Sequence, residues 1–438
     1  MKKSLKYLIY ICLTSVLFVS CGTNSERIVT GSTEKSQSVE QINIKLWHIW
    51  TTDSEASKQP FEISLKDFEN RNPDIKIDVE AIENETYKTK IRTAMTVNEV
   101  PDIFYSWGAG FSKPFIDAGK VLALDDYIND GTKEKLLPES LKYFTFDKKV
   151  YGLPIYMIAG IFYYNKEIFE RNGLKIPDTF DELVEVSKQL NEKGVTPIVV
   201  GEKDGWPGIF FHNILALRTA GIVRCNAALN KKTSFDSPDF TQAAEKLCQL
   251  IDAQAFDKRS MQMTRDEAEA CFKNGGAAMY YNGSWYAGTL DKEDSAVKGK
   301  IEVRNFPVLT DGLGSQKGYL GGAIDTFMVS SDTKYKDQAV YAVKTISEEF
   351  CKQSYYSGAG IPAWKIDENI PVKSQLAGEI SKLVKDRDCF MLVWDTYLAG
   401  EEAQTHINLV ADLFSSKLTP KQFSAEMQKM NETSSHNK

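Results

Sequence analysis

The chain has 438 residues, too many for one ordinary hydrophobic core and enough for about two domains. Hydrophobic residues make up 42% and aromatic ones 11%, which excludes disorder over most of the length. A formal net charge of −7 excludes the basic attraction on which nucleic-acid binding depends.

Met1 to Lys6 carries Lys2, Lys3 and Lys6, an apolar run follows from Tyr7 to Val19, and Ser20 precedes Cys21. A basic start, an apolar stretch and a small residue predict an export signal over 1–20. The run is short for a bilayer span. Leu17-Phe18-Val19-Ser20-Cys21 resembles a bacterial lipoprotein box, with Phe18 where Leu is usual. That resemblance implies a lipid on Cys21, holding the protein at the outer face of the cytoplasmic membrane. Residues 22–40 are rich in Ser, Thr, Glu and Gly and read as a flexible tether. Beyond Cys21 come Cys225, Cys248, Cys271, Cys351 and Cys389. None lies in a CxxC pair, so neither a thiol-redox nor a zinc motif is indicated. One disulfide in the second half is compatible with the spacing, with partners left open.

The folded region opens with a predicted strand at Ile42–Trp50, ending in Thr51-Thr52-Asp53. Phe61, Leu65 and Phe68 repeat at helical spacing, and Asn72-Pro73-Asp74 stops that helix. A strand at Ile75–Val79, a helix at Tyr87–Val97 and a strand at Pro101–Tyr105 follow. This alternation predicts a parallel open sheet, whose ligands sit beyond the carboxyl ends of the strands. Trp50, Asp53 and Trp107 fall just past such ends. Lys149–Tyr164 is strand-like and interrupted by Pro154 and Gly160, a crossing between two halves. Thr179 and Glu182 have capping-box spacing. Thr196–Gly201 reads as a buried strand, with Trp206 just past its end. Amphipathic helices at Asp239–Ile251 and Thr264–Phe272 lead to a short strand, Ala277–Tyr281. The turn Asn282-Gly283-Ser284 then presents Trp285 at the mouth of a cleft. Strands at Lys300–Val308 and Ala323–Ser330 follow, the second bearing Asp325. A helix at Gln338–Phe350, the segment Met391–Leu398 with Trp394, and a last helix through Met430 complete the chain.

Three strings, PDIFYSWG, YGLPIYMIAGIFYYNKEIFERNGLKIPDTFDEL and FKNGGAAMYYNGSW, resemble the bacterial extracellular solute-binding proteins of family 1. These are carbohydrate-binding subunits of ATP-driven importers, similar to maltodextrin-binding proteins. The resemblance runs from about Ile42 to about Met430. It implies an α/β, two-lobed fold of the periplasmic-binding-protein type (type II), each lobe a mostly parallel sheet flanked by helices. Lobe one is then 42–155 plus 307–349, and lobe two 156–306 plus 350–438. The family's stacking positions carry over onto Trp107 and Trp285, and its acidic residue after the first strand onto Asp53. Trp50, Trp206, Asp325 and Trp394 are further implied contacts. At the first crossing some maltodextrin binders place Glu where this chain has Ile158, and Tyr156 is the nearest polar aromatic.

These residue types suit a sugar. Rings cover the C–H faces of a pyranose, and carboxylates and indole N–H groups take its hydroxyl edge. The abundance of Trp favours an oligosaccharide. The implied partners are a carbohydrate ligand, separate permease subunits and a membrane reached through the lipid. A monomer without cofactor or metal, and without catalysis, is expected. Two alternatives stand beside this reading. One is the same fold binding a non-sugar solute. The other is a secreted glycoside-acting enzyme, which needs paired carboxylates across the cleft.

Overall fold

Alternation along Ile42–His48 (β1) sends Ile44, Leu46 and His48 into the interior and leaves Asn43 and Lys45 outside. In the computed structural model, which describes residues 41–367 and 371–436, this strand begins the folded region. The expectations for the leader, Cys21 and the tether lie outside the described residues.

Helix α1 (Lys58–Arg71) buries Pro60, Phe61, Ser64 and Phe68, one face at three- and four-residue spacing. It returns the chain to β2 (Ile75–Ala81). Helix α2 (Asn84–Val97) is capped by the Glu83 carboxylate, which accepts from the backbone of Glu85 and Thr86. It ends at Asn98 in the left-handed conformation and leads to β3 (Ile103–Trp107). A short helix α3 (Lys113–Asp117) and a small hairpin of β4 (Thr145–Phe146) and β5 (Lys149–Val150) precede β6 (Leu153–Pro154).

The chain then enters a second sheet with β7 (Ile158–Asn165), buried along its whole length. Helices α4 (Lys166–Asn172) and α5 (Phe180–Glu192) follow, and the Thr179–Glu182 capping box forms as its spacing predicts. Helix α6 (Trp206–Thr219) is apolar almost all round and is buried on every side from Pro207 onward. Around it pack α7 (Gly221–Leu229) and α8 (Pro238–Asp252). Helix α9 (Arg265–Lys273), with a second capping box from Thr264 and Glu267, delivers the chain to β8 (Met279–Gly283). After α10 (Ala287–Leu290), β9 (Ile301–Arg304) and β10 (Tyr319–Gly322) complete the entry to the return crossing. Strand β11 (Asp325–Val329) and α11 (Lys336–Ser357) rejoin the first sheet, and α11 packs against α1. The end of the chain supplies α12 (Gln375–Lys385), β12 (Phe390–Met391), α13 (Trp394–Tyr397), α14 (Gly400–Phe414) and α15 (Pro420–His436).

The first sheet has the order β2-β1-β3-β11-β6, parallel among β1, β2 and β3 and antiparallel at β11 and β6. The second has the order β12-β10-β7-β8, with β9 also on β7, and only β10–β12 is parallel. The two-lobed α/β architecture therefore stands, but the expectation of a mostly parallel sheet in each lobe holds only for β1 to β3. Strand β7 is buried on both faces, a pattern usual for parallel strands, yet its partners β8 and β9 arrive through long helical excursions that leave their direction free.

Thr196–Gly201 is buried, but it bridges β8 through single residues and forms no strand. Pro197 interrupts the row of N–H donors there. Tyr319–Gly322, expected in lobe one, hydrogen-bonds into the second sheet. The chain passes between sheets at 155–157 and 323–324, and Met157 pairs with Ile361 where the end of α11 leads back. The five cysteines beyond residue 40 are free thiols.

Candidate functional site

One cleft lies where the carboxyl ends of β1 and β3 and the start of β11 face α6, α9 and the residues after β8. The space between its walls that water-sized spheres can occupy is about 140 Å³.

Trp107 is the last residue of β3. Tyr105 and Phe111 brace it edge-on, with ring centroids 4.9 and 4.7 Å away, and Lys88 Nζ lies 5.4 Å from its ring. On the other wall Trp285 follows β8 on a tight turn, flanked by Trp206 and Phe210, each at 6.3 Å. Gly283 makes that turn possible, because a Cβ there would fall 1.8 Å from the indole. Trp206 is the first residue of α6. Trp50 is 4% exposed, packed against Phe350 at 4.9 Å and Phe61 at 5.3 Å, and reaches the cleft with one edge.

Tyr156, on the first crossing, places its hydroxyl 3.3 Å from Ser57 Oγ. Asp325 opens β11 and accepts a hydrogen bond from the Tyr105 hydroxyl. Burial pushes its carboxyl up to about 6, against that hydrogen bond. Trp50, Trp107, Tyr156, Trp206, Trp285 and Asp325 thus line one cavity.

Two expected residues are elsewhere. Asp53 points to solvent and lies outside the cleft lining, its carboxylate held there by the Lys58 ammonium at 2.6 Å. Trp394 is fully buried among Phe235, His212 and His406, filling the second core rather than the site. Its neighbour Asp395 lines the cleft, since successive residues of the one-turn α13 face different ways.

Sequence reasoning missed most of the polar lining: Glu55, Asn84, Lys88, Arg265, Glu269 and Asp395. The strand-end rule pointed to the loop after β1 but not to its seventh residue, Glu55. Arg265 lacks any motif beyond its place after a capping Thr. The Arg265 guanidinium meets Asp266 at 2.7 Å, Glu55 at 3.3 Å and Glu269 at 3.7 Å. Burial opposes its charge, and the surrounding carboxylates more than reverse that, so its pKa is raised. Burial likewise raises the Glu269 and Asp395 carboxyls. Flat apolar walls with carboxylates and amides between them can hold a ligand that has ring faces and a hydroxyl rim. Among the described residues no group of His, Cys, Asp and Glu could hold a metal ion. No helix there is long and apolar enough to cross a membrane.

A family model described as bacterial extracellular solute-binding protein matches residues 52–346. The multiple sugar-binding protein of Streptococcus mutans is 25% identical over 374 residues, 82% of this chain and 83% of that one. A structure solved in work on xylan utilization by the thermophilic bacterium Caldanaerobius polysaccharolyticus is 42% identical. It superposes with a TM-score of 0.85 over 89% of this chain and 99% of its own. A chitin oligosaccharide binding protein is 25% identical, with a TM-score of 0.80 over 90% and 99%.

Proposed function

Because the chain belongs to the bacterial extracellular solute-binding proteins, we propose that it captures an oligosaccharide in the interlobe cleft for an ATP-driven importer. The observation that carries this reading is the pair of indoles, Trp107 from the first sheet and Trp285 from the second, lining a single cavity. Each can cover one C–H face of a sugar, so a ligand between them touches both lobes and favours their closure. Trp50 and Trp206 extend the apolar walls, while Tyr156, Asp325, Glu55, Asn84 and Asp395 offer hydrogen bonds to the hydroxyl rim. Asp53 and Trp394 have no part in this site.

Xylan-derived oligosaccharides are the first candidates, from the 42% identity to a protein studied for xylan utilization. Chitin oligosaccharides are the second. Delivery falls to separate permease subunits, in line with the family's solute-binding role. The leader and Cys21 support a lipid-anchored receptor outside the cytoplasmic membrane, and we take that receptor to act as a monomer. Binding without turnover is part of the reading, in line with the family's solute-binding role.

A ligand bound only by the folded protein raises its melting temperature. Among xylo-, chito- and malto-oligosaccharides, one series is expected to raise it, increasingly up to the length that fills the cleft. Calorimetry with that series should give a Kd roughly thirtyfold weaker for Trp285→Ala, about 2 kcal/mol for a stacking anchor. A shift from a non-sugar solute and from no oligosaccharide would replace this reading with the alternative solute class.

A further inference from the structure

The loop after β1 belongs to the first sheet, yet three of its residues are gripped by the second lobe. Glu55 Oε1 meets Arg265 Nη2 at 3.3 Å. Thr289 Oγ1 donates to the Ser54 carbonyl at 3.1 Å, and Lys292 Nζ donates to the Asp53 carbonyl at 2.9 Å. Glu55 is itself held in place, since its other oxygen accepts from the backbone N–H groups of Thr51 and Thr52 at 2.6 and 3.2 Å. The loop therefore presents a fixed carboxylate to Arg265, not a free-swinging one.

Arg265 is equally well placed. Its backbone N–H donates to Asp204 Oδ2 at 2.7 Å, and its side chain also touches Asp266 and Glu269. Glu269 accepts from Asn282 Nδ2 at 2.9 Å. Asn282 and Tyr286 lie on either side of Trp285 in the chain, and the Tyr286 hydroxyl donates to the Glu269 carbonyl, so Glu269 is tied to both ends of the turn that carries the indole. A continuous line of contacts thus runs from Glu55 in one lobe, through Arg265 and Glu269, to the residues on either side of the indole that stands in the cleft.

We propose that Arg265 is a positioning residue that couples closure of the cleft to the setting of Trp285. When the lobes close, Glu55 arrives against the guanidinium and shares it with Glu269. When they part, Arg265 turns wholly to Glu269 and Asp266, and the carboxylate beside the indole shifts. Closure then tightens the grip on a ligand twice, by bringing the two walls together and by aligning one of them. Lys292 and Thr289 hold the loop in register for this contact. The coupling builds on the solute-binding reading but is independent of which solute binds.

The test therefore uses the ligand-free protein. With 5-fluorotryptophan incorporated, each of the seven Trp residues gives a fluorine resonance, and Trp285→Phe identifies the one in question. Glu55→Gln, which changes a residue of the opposite lobe, is expected to displace the Trp285 resonance. Lys292→Ala, outside the cleft lining, is expected to displace it in the same direction by loosening the loop, and it serves alone if Glu55→Gln fails to fold. A Trp285 resonance unmoved in folded Glu55→Gln, with only that of nearby Trp50 shifted, overturns the coupling. Because no sugar enters the experiment, failure of the oligosaccharide reading leaves this result intact.

Discussion

Asp325 carries a cost that its position explains. It stands in the cleft with the Tyr105 hydroxyl as its hydrogen-bond donor, and burial pushes its carboxyl up to about 6 from the ordinary 3.8. A raised carboxyl pKa means that the folded state binds more protons than the unfolded chain between those two values. Stability is therefore lost as pH rises through that window, and the penalty is complete above it. A shift of this size corresponds to about 3 kcal/mol as an upper bound. Asp325→Asn should accordingly melt higher than wild type at pH 7.5 and equal to it below pH 4, while binding oligosaccharide more weakly. Paired thermal melts and calorimetry check both halves; a variant less stable at pH 7.5 would contradict the electrostatic account. The indoles of the cleft were legible because strand ends and turn residues mark them. The polar lining was not. Glu55, Arg265 and Glu269 acquire their roles from one another across the lobes, and no spacing within the chain encodes that. Asp53 and Trp394 show the converse error, since a residue one or two places from a site can face solvent or core.

At the scale of elements, the crossings between sheets set the geometry of the cleft. Strand β10 ends in Gly321 and Gly322, with φ of 126° and 116°, a region that disfavours any Cβ. A Cβ on Gly321 would lie 2.2 Å from the Ile158 carbonyl oxygen, where β10 pairs with β7. Gly358 ends α11 at the third crossing with φ of 83°. Gly321→Ala should cost about 2 kcal/mol or more from strain and displaced backbone together. Urea unfolding measures it, and a change under 0.5 kcal/mol, the scale of ordinary surface substitutions, would show that the crossing adapts freely. The place of Tyr319–Gly322 in the second sheet was not legible in the sequence, because glycine marks permissive backbone without naming the partner strand. The capping box of α5 was local enough to read from spacing alone. Thr196–Gly201 was apolar enough for a strand, and lost that ladder to a single proline.

The molecule as a whole has two hydrophobic cores of different composition, and they should respond differently to acid. The second core encloses His212 and His406, whose ring nitrogens lie 3.3 Å apart, with Asn213 Nδ2 at 3.4 Å from each. Asn213 also accepts from the Trp394 backbone N–H at 2.8 Å, so the cluster ties α6, α13 and α14 together. Burial pushes His212 down to about 3 and His406 well below the usual 6.5. The first core has one such group, His48, lowered to about 4 by burial and then by Lys58. A histidine kept neutral by the fold contributes stability that is complete above pH 6.5 and is lost as pH falls toward its folded value, because the unfolded chain takes up the proton first. Two facing histidines in one lobe against one in the other make the second lobe the acid-labile half. Hydrogen exchange, expressed as protection factors at pH 7 and pH 5, should show α6, α14 and α15 losing protection on acidification while β1, β2 and β3 retain theirs. Substituting His406 by Gln, which can still meet Asn213, should narrow that difference by removing one of the two histidines held neutral by burial. Equal loss of protection in both lobes, or an unchanged gap in the variant, would contradict the assignment of acid sensitivity to the buried histidines.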